Sequence, residues 1–359
     1  MRGGLVGIVV NPLSGRDIRR LVAHASVFPN AEKANMVQRL LLALRATGIE
    51  RAMVSTDLGG VSAAVARAVR SRRRRIEWPE VVFVDDDPIT QTAADTANAV
   101  RRMAAAGAGA IVCLGGDGTA RVAAAALGDV PLVALSTGTN NVFPELREAT
   151  VAGVAAGLVA SGAVPADEGT YRASLLEVTV GRRRDHALVD VAVTTSGHTA
   201  ARAVWDPAVL RELYCTFAEP DAIGLSSIAG LLCPCPRTDP SGIALQLTDP
   251  DRAAHAVLAP IAPGLLIEVG VDSWSPLRPG AEVAVGLGHG VIALDGEREI
   301  EFTATRPTVR LVPRGPRCVD IPRVLALATA RGLLTRAARS GHPGVPSGDA
   351  CARHHALPA

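Results

Sequence analysis

In Ala110-Ile111-Val112-Cys113-Leu114-Gly115-Gly116-Asp117-Gly118-Thr119, five apolar residues run straight into a glycine-rich turn. Five is the length of a strand, and an unbroken apolar run reads as a strand buried on both faces. The alanine-rich run from Ala120 to Leu127 reads as a helix. The glycines therefore fall between a strand's carboxyl end and a helix's amino end. Having no β-carbon, glycine lets backbone N–H groups approach a phosphate chain, and the helix dipole adds to the attraction. Asp117 is the odd component. A carboxylate beside a polyphosphate makes sense if it organises a magnesium ion or takes a proton from an attacking hydroxyl. The combination points to phosphoryl transfer; the plainer alternative is a tight turn with Asp117 or Thr119 as N-cap.

Outward from that turn, the first half of the chain alternates strand and helix. Leu5 to Val10, Arg51 to Thr56, Val81 to Val84, Ala110 to Leu114 and Pro131 to Leu135 read as strands. Ala31 to Ala46, Val61 to Arg70 and Thr92 to Ala106 read as helices between them. Such alternation implies right-handed crossovers and a Rossmann-like parallel sheet covered on both sides, with ligands at the strands' carboxyl ends. Three strands end in small polar loops: Asn11-Pro12-Leu13-Ser14-Gly15, Gly115 to Thr119, and Ser136-Thr137-Gly138-Thr139-Asn140-Asn141. On one sheet edge they form a nucleotide cradle. Asp85-Asp86-Asp87-Pro88 reads as a solvated acidic turn in preference to a metal site.

The second half is β-rich. Tyr171 to Val180 and Ala187 to Thr194 read as a hairpin turning at Gly181 to Arg184, and further strands are expected at Gly242 to Thr248, Ala254 to Ala259, Leu265 to Val269, Glu282 to Val285, Gly290 to Leu294, Glu299 to Ala304 and Thr308 to Val312. This spacing indicates a sandwich-like domain, interrupted by helical insertions at Asp206 to Phe217 and Ala222 to Leu232. The expected organisation is an α/β domain over 1–145, an all-β sandwich-like domain over 146–318, a C-terminal helix over 319–338 packing back on the first domain, and a disordered tail over 339–359. Gly286-Leu287-Gly288-His289-Gly290 opens no helix and reads as a hairpin turn, not a dinucleotide fingerprint. Asp295-Gly296-Glu297 is an ordinary Asp-Gly hairpin turn. Arg72 to Arg75 reads as a solvated helix end.

Composition narrows the function. At 359 residues, two domains are expected. A formal charge of +2 gives no reason to expect nucleic acid or an anionic membrane as partner. Lys33 is the only lysine, which argues against P-loop kinases and Schiff-base enzymes. Six cysteines make no dense disulfide framework, and Cys233-Pro234-Cys235 lacks the second pair a structural zinc requires. No stretch approaches the roughly 18 consecutive apolar residues of a membrane span, and Leu5 to Val10 reads as a strand, not as part of a leader. A cytoplasmic chain without membrane insertion is expected. No dedicated protein-only metal site is expected.

Three motifs together, Gly115 to Thr119 after a strand, Asn11-Pro12-Leu13-Ser14-Gly15, and Asp295-Gly296-Glu297, resemble the superfamily shared by NAD kinases, diacylglycerol kinases and sphingosine kinases. Phe28 to Lys33, Leu114 to Thr119, Ser136 to Asn141, Ala203 to Pro207 and Leu294 to Glu297 resemble its acetoin catabolism X (AcoX) branch, and the likeness reaches from Gly4 to Thr335. It implies a two-domain kinase with its active site in the interdomain cleft. By resemblance, Gly115, Gly116, Gly118 and Thr119 line phosphates and Asp117 is the essential acid. In NAD kinases that aspartate is thought to activate the ribose 2′-hydroxyl of NAD, and in the lipid kinases it is associated with magnesium and nucleotide organisation. Asn11 and Ser14 match nucleotide-contacting positions of the lipid-kinase branch. Thr137, Gly138 and Asn140 match its second glycine-bearing loop, and Glu297 matches an acidic residue near the phosphates. NAD kinases carry an Asn-Glu pair that grips the nicotinamide ribose; Asp190 and Val191 stand there instead. Asp190, Asp295 and Glu297 are thus candidates for substrate or metal contact. The expected donor is ATP or polyphosphate with Mg²⁺, the first acceptor NAD, with a lipid or small polyol as alternative. A reading of another class is a non-catalytic nucleotide-binding accessory protein linked to acetoin catabolism. A homo-oligomer is expected.

Overall fold

The computed structural model describes residues 4–14, 23–71, 77–84, 88–195 and 206–335, with backbone only at 298 and 299. Among the described residues the chain runs first through β1 (Leu5–Val10), α1 (Asn30–Ala46), β2 (Arg51–Ser55), α2 (Val61–Arg70), β3 (Glu80–Val84), α3 (Ala93–Ala105), β4 (Ala110–Gly115), α4 (Asp117–Ala126) and β5 (Leu132–Ser136). The five strands run parallel in the order β3-β2-β1-β4-β5. They are apolar without alternation because each face has its own core. Val6, Ile8 and Val10 pack with α1 and α2, whereas Leu5 and Val9 pack with α3 and α4.

The chain continues through α5 (Ala149–Ala160), α6 (Ala166–Gly169), β6 (Thr170–Arg172), β7 (Leu175–Val180), β8 (Arg183–Ala187), β9 (Asp190–Thr194), β10 (Leu210–Cys215), α7 (Ser226–Leu232), β11 (Gly242–Thr248), β12 (His255–Ala262), β13 (Leu265–Leu277), β14 (Glu282–Ala284), β15 (Gly290–Leu294), β16 (Glu297–Phe302), β17 (Thr308–Val312), β18 (Arg317–Val319) and α8 (Ile321–Ala330). Two antiparallel sheets, β12-β13-β11-β10-β9-β15-β16 and β14-β17-β7-β8, face each other. Between them lie Leu176, Val178, Val193, Tyr214, Ile292 and Val309. The outer face of the larger sheet packs Leu213, Cys215 and Ala293 against Ile228 and Ala229 of α7. The result is an α/β unit with a mostly parallel sheet joined to an antiparallel β-rich unit.

The first sheet does not stop at β5. β18 lies parallel beside it, and β6 lies antiparallel outside β18. α5 packs on α1 and α8, so five of the described elements after residue 145, α5, α6, β6, β18 and α8, sit on the first unit. No helix among the described residues is long and apolar enough to cross a membrane.

Several expectations change. The helix expected over Asp206 to Phe217 is a 3-10 turn, Pro207–Val209, followed by β10. Leu210, Leu213 and the Arg-Glu pair suit a helix, but β10 sits between β9 and β11, where pairing on both edges overrides propensity. The hairpin partner of β7 is β8; β9 leaves for the other sheet. Gly286 to Gly290 connects β14 and β15, which belong to different sheets, so it is a crossover and not a hairpin turn. α7 begins only at Ser226, after Gly224 at φ 90°, and α8 ends at Ala330 before Gly332 at φ 63°. Gly15, Arg72 to Arg75, Asp85 to Asp87, Ala203 to Trp205 and the expected tail lie outside the described residues.

Candidate functional site

β4 delivers Gly115 into a sharp strand-to-helix junction. A β-carbon on Gly115 would lie 2.6 to 2.8 Å from the Thr119 side chain, so only glycine fits. Gly116 is the N-cap of α4 and no side chain caps the helix, which leaves its amino end to an anion. Asp117, the first helical residue, is buried. Its Oδ1 accepts the N–H groups of Val142 at 3.0 Å and Phe143 at 2.7 Å, and Val142 N–H also reaches Oδ2 at 3.2 Å. The carboxylate is held by backbone from the loop after β5, 25 and 26 residues away.

The three loops meet through their own side chains. Asn11 Nδ2 donates to Thr119 Oγ1 at 2.9 Å, while Asn11 Oδ1 accepts Leu13 N–H. The Ser14 and Thr137 hydroxyls are 2.7 Å apart. Ser136 Oγ donates to Gly138 O and accepts Asn141 Nδ2. Lys33, fully buried on α1, donates to Asn11 O, Pro12 O and Ser14 Oγ. It props the first loop from below, a role its rarity in the sequence did not suggest. The segment after residue 22 straps the third loop: Phe28 N–H donates to Thr137 O, and Ser26 and Thr139 bond each other. His24 N–H continues the strap to Pro263 O on the β unit.

These loops wall a cavity of about 580 Å³. Asn11, Ser14, Gly116, Asp117, Gly118, Thr119, Thr137, Gly138, Asn140, Asp295 and Glu297 all line it; Gly115 lies beneath its floor and Asp190 outside it. Thr56, Asp57, Gln91, Thr92, Asp95 and Thr96 also line it. A smaller crevice of about 20 Å³ joins Asp117 and Asn140 to Asp190, Leu225, Ile261 and Asp295 across the two units.

Asp295 and Gly296, at φ 50° and 75°, turn β15 into β16 as a left-handed two-residue loop. Asp295 is buried, and its Oδ1 accepts Leu188 N–H at 2.9 Å and Val189 N–H at 2.8 Å. Arg121 Nε lies 3.5 Å from Oδ2, and Arg121 Nη1 lies 3.8 Å from Asp185. Burial pushes the Asp295 carboxyl up to about 7, with Asp117 adding to the rise and Arg121 opposing it. Asp190 is buried at the start of β9 and is not a solvated strand end. Glu297 Oε1 is 3.6 Å from where a β-carbon on Gly118 would sit.

Among the described residues lining the cavity, Arg121 carries the only cationic side chain. It lies four residues after Asp117 on α4, a spacing that puts both on one helical face and was open to a sequence reading. No group of three His, Cys, Asp or Glu among the described residues is placed to hold a metal ion. Mg²⁺ characteristically uses one or two carboxylates together with substrate phosphates. Glu297 beside Gly118 fits that part.

Residues 6–164 match the ATP-NAD kinase N-terminal domain, and residues 174–314 match the acetoin catabolism protein X C-terminal domain. Over 323 residues the chain is 42% identical to acetoin catabolism protein X of Cupriavidus necator, an alignment covering 88% of this chain and 90% of that protein.

Proposed function

From a chain that belongs to the acetoin catabolism protein X family and carries an NAD kinase-like N-terminal domain, we propose an ATP-dependent kinase acting on a hydroxyl acceptor at Asp117. The observation that carries this reading is a carboxylate fixed by two backbone N–H groups at the uncapped amino end of α4, on the wall of a nucleotide-sized cavity.

The donor's phosphates would lie against the N–H groups of Gly116, Gly118 and Thr119, with Asn11, Ser14, Thr137, Gly138 and Asn140 lining the rest of the cradle. Arg121 supplies a positive charge that offsets the negative charge on the oxygens of the transferring group. A magnesium ion on the phosphates would neutralise further charge, and Glu297, which lines the cavity beside Gly118, would be a carboxylate able to hold it. The acceptor oxygen attacks the terminal phosphorus, the bond to the bridging oxygen breaks, and ADP departs. Asp117 takes the acceptor's proton late in this exchange, at Oδ2, which Val142 N–H reaches at 3.2 Å, and not at Oδ1, which accepts two shorter N–H bonds. The acceptor's side of Asp117 is the crevice formed with Asp190, Leu225 and Ile261.

The 2′-hydroxyl of NAD is the first acceptor proposed, from the family of the N-terminal domain. One observation favours a different acceptor, a lipid or small polyol, or a nucleotide-binding accessory role without turnover. Val191, standing where NAD kinases place the glutamate of their ribose grip, is fully buried between the sheets. The test offers ATP and Mg²⁺ with NAD, NADH, diacylglycerol or a polyol to wild type and Asp117→Asn. NADP formed by wild type alone supports the proposal. Nucleotide binding without transfer to any acceptor supports the accessory role, and equal activity in the variant removes Asp117 from the mechanism.

A further inference from the structure

Of the bonds that Val142 and Phe143 make to Asp117, the shortest comes from Phe143 N–H, and the carbonyl of that same amide is Val142 O. A guanidinium from the other unit sits on it. Arg237, in the connection between α7 and β11, donates from Nη2 to Val142 O and from Nη1 to Phe143 O at 3.0 Å. Its Nε pairs with Glu219 at 2.9 Å, and its Cζ lies 4.2 Å over the Phe217 ring. The Cys233-Pro234-Cys235 stretch sets up this arrangement. Ala218 and Cys235 exchange backbone hydrogen bonds at 2.7 and 2.8 Å, and Cys235 Sγ donates to Ser241 O at 3.1 Å. Glu219 and Arg237, one and two residues beyond that bridge, are thereby set side by side.

Resting on the kinase reading of Asp117, we infer that Arg237 is a positioning residue that acts on this carboxylate through the peptide unit between Val142 and Phe143. A cation on a carbonyl oxygen draws electron density toward it, and the N–H at the far end of the amide becomes a stronger donor. The polarised N–H then grips Asp117 Oδ1 more tightly, while the bond to Phe143 O stops the loop from swinging. Glu219 and Phe217 fix the plane of the guanidinium, as an arginine fork bonded at three nitrogens requires. The β unit thus sets the position of the carboxylate borne by the α/β unit. Arg237 does not line the cavity walled by the loops of the α/β unit.

The experiment uses the full chain with Arg237→Ala, Arg237→Lys and Glu219→Gln. The Phe143 amide proton is followed by NMR, with kcat, KM for ATP and Tm measured in parallel. In Arg237→Ala the Phe143 proton resonance moves upfield and kcat falls about tenfold, less than the 10²-fold or more for losing a direct oxyanion donor. KM for ATP stays within about twofold, and lysine, which reaches one carbonyl, restores part of kcat. If Arg237→Ala does not fold, Arg237→Lys and Glu219→Gln give the same readouts in weaker form. An unmoved Phe143 resonance, or a rise in KM that tracks a loss of Tm with kcat intact, overturns the inference. Absence of turnover in wild type with every acceptor defeats the kinase reading instead, and the Phe143 resonance still decides the role of Arg237.

Discussion

Asp117 was legible because its surroundings are local: strand, glycines and helix follow one another in ten residues. What holds it was not, since Val142, Phe143 and Arg237 are brought by other loops. Asp117→Asn keeps the shape of the side chain and removes the proton acceptor. Turnover should fall about 10²- to 10⁴-fold with ATP affinity nearly unchanged; calorimetry that shows affinity lost in step would make Asp117 a binding residue. Arg121→Ala removes the cation that offsets charge on the transferring group, so kcat should fall about tenfold or more while KM for ATP moves less; steady-state kinetics showing ATP affinity lost with kcat intact would make Arg121 a binding residue. Asp295 gives a prediction in pH. Its carboxyl titrates near 7 in the folded chain and near 4 unfolded, so between those values the folded state holds the extra proton. Its contribution to stability is full below about pH 4 and is lost as pH rises through about 7, on the order of 4 kcal/mol. Asp295→Asn cannot titrate and tolerates the left-handed turn, so Tm should vary less between pH 5 and 8 than in wild type. Parallel Tm curves would show that Asp295 stays ionised when folded.

Elements whose pattern is strong, the parallel strands and α1 to α4, were readable from apolar runs and periodicity. β10 was not, because Leu210-Arg211-Glu212-Leu213 satisfies a helix as well as a strand. Only its neighbours decide, with Tyr214 and Glu212 turned to one sheet, their side chains 2.5 Å apart, and Leu213 and Cys215 to α7. α5 shows a second limit. Its residues are apolar almost all round, so the sequence shows that it is buried without saying against what. The structure seats Gly153 and Gly157 on α1: a β-carbon at 153 would lie 2.8 Å from Ala43 Cβ, and one at 157 only 1.9 Å from Thr47 Oγ1. Gly157→Val should therefore destabilise the chain by about 1–3 kcal/mol, read as a lower urea midpoint at unchanged slope. A midpoint equal to wild type would mean that the two helices separate freely. Gly118 sits in an equally tight motif, but a β-carbon there would make only ordinary van der Waals contact with Glu297, at 3.6 Å. Gly118→Ala should fold as wild type and lose nucleotide affinity.

At the scale of the molecule, the β unit is inserted within the α/β unit's own elements. Arg317–Val319 is too short for any periodicity to announce a strand, yet it lies between β5 and β6 in the first sheet. α8 then buries Ile321, Val324 and Ala328 against Leu158, Val159 and Val164. We propose that residues 317–330 are part of the folding unit of the nucleotide site and not an appendage to the β unit. Removing residues 317–335 uncovers Leu158, Val159 and Val164, worth about 1.5–3 kcal/mol each if fully exposed, together with the edge of β5. A domain is stable by only about 5–15 kcal/mol, so the loss takes most of it. The shortened chain should aggregate, or melt well below wild type with a broadened transition, even though no residue lining the cavity has been removed. The measurement is circular dichroism against temperature, with ATP titrated into the soluble fraction. If the truncated protein melts as wild type and binds ATP equally well, β18 and α8 only decorate the first sheet, and the α/β unit closes at β5.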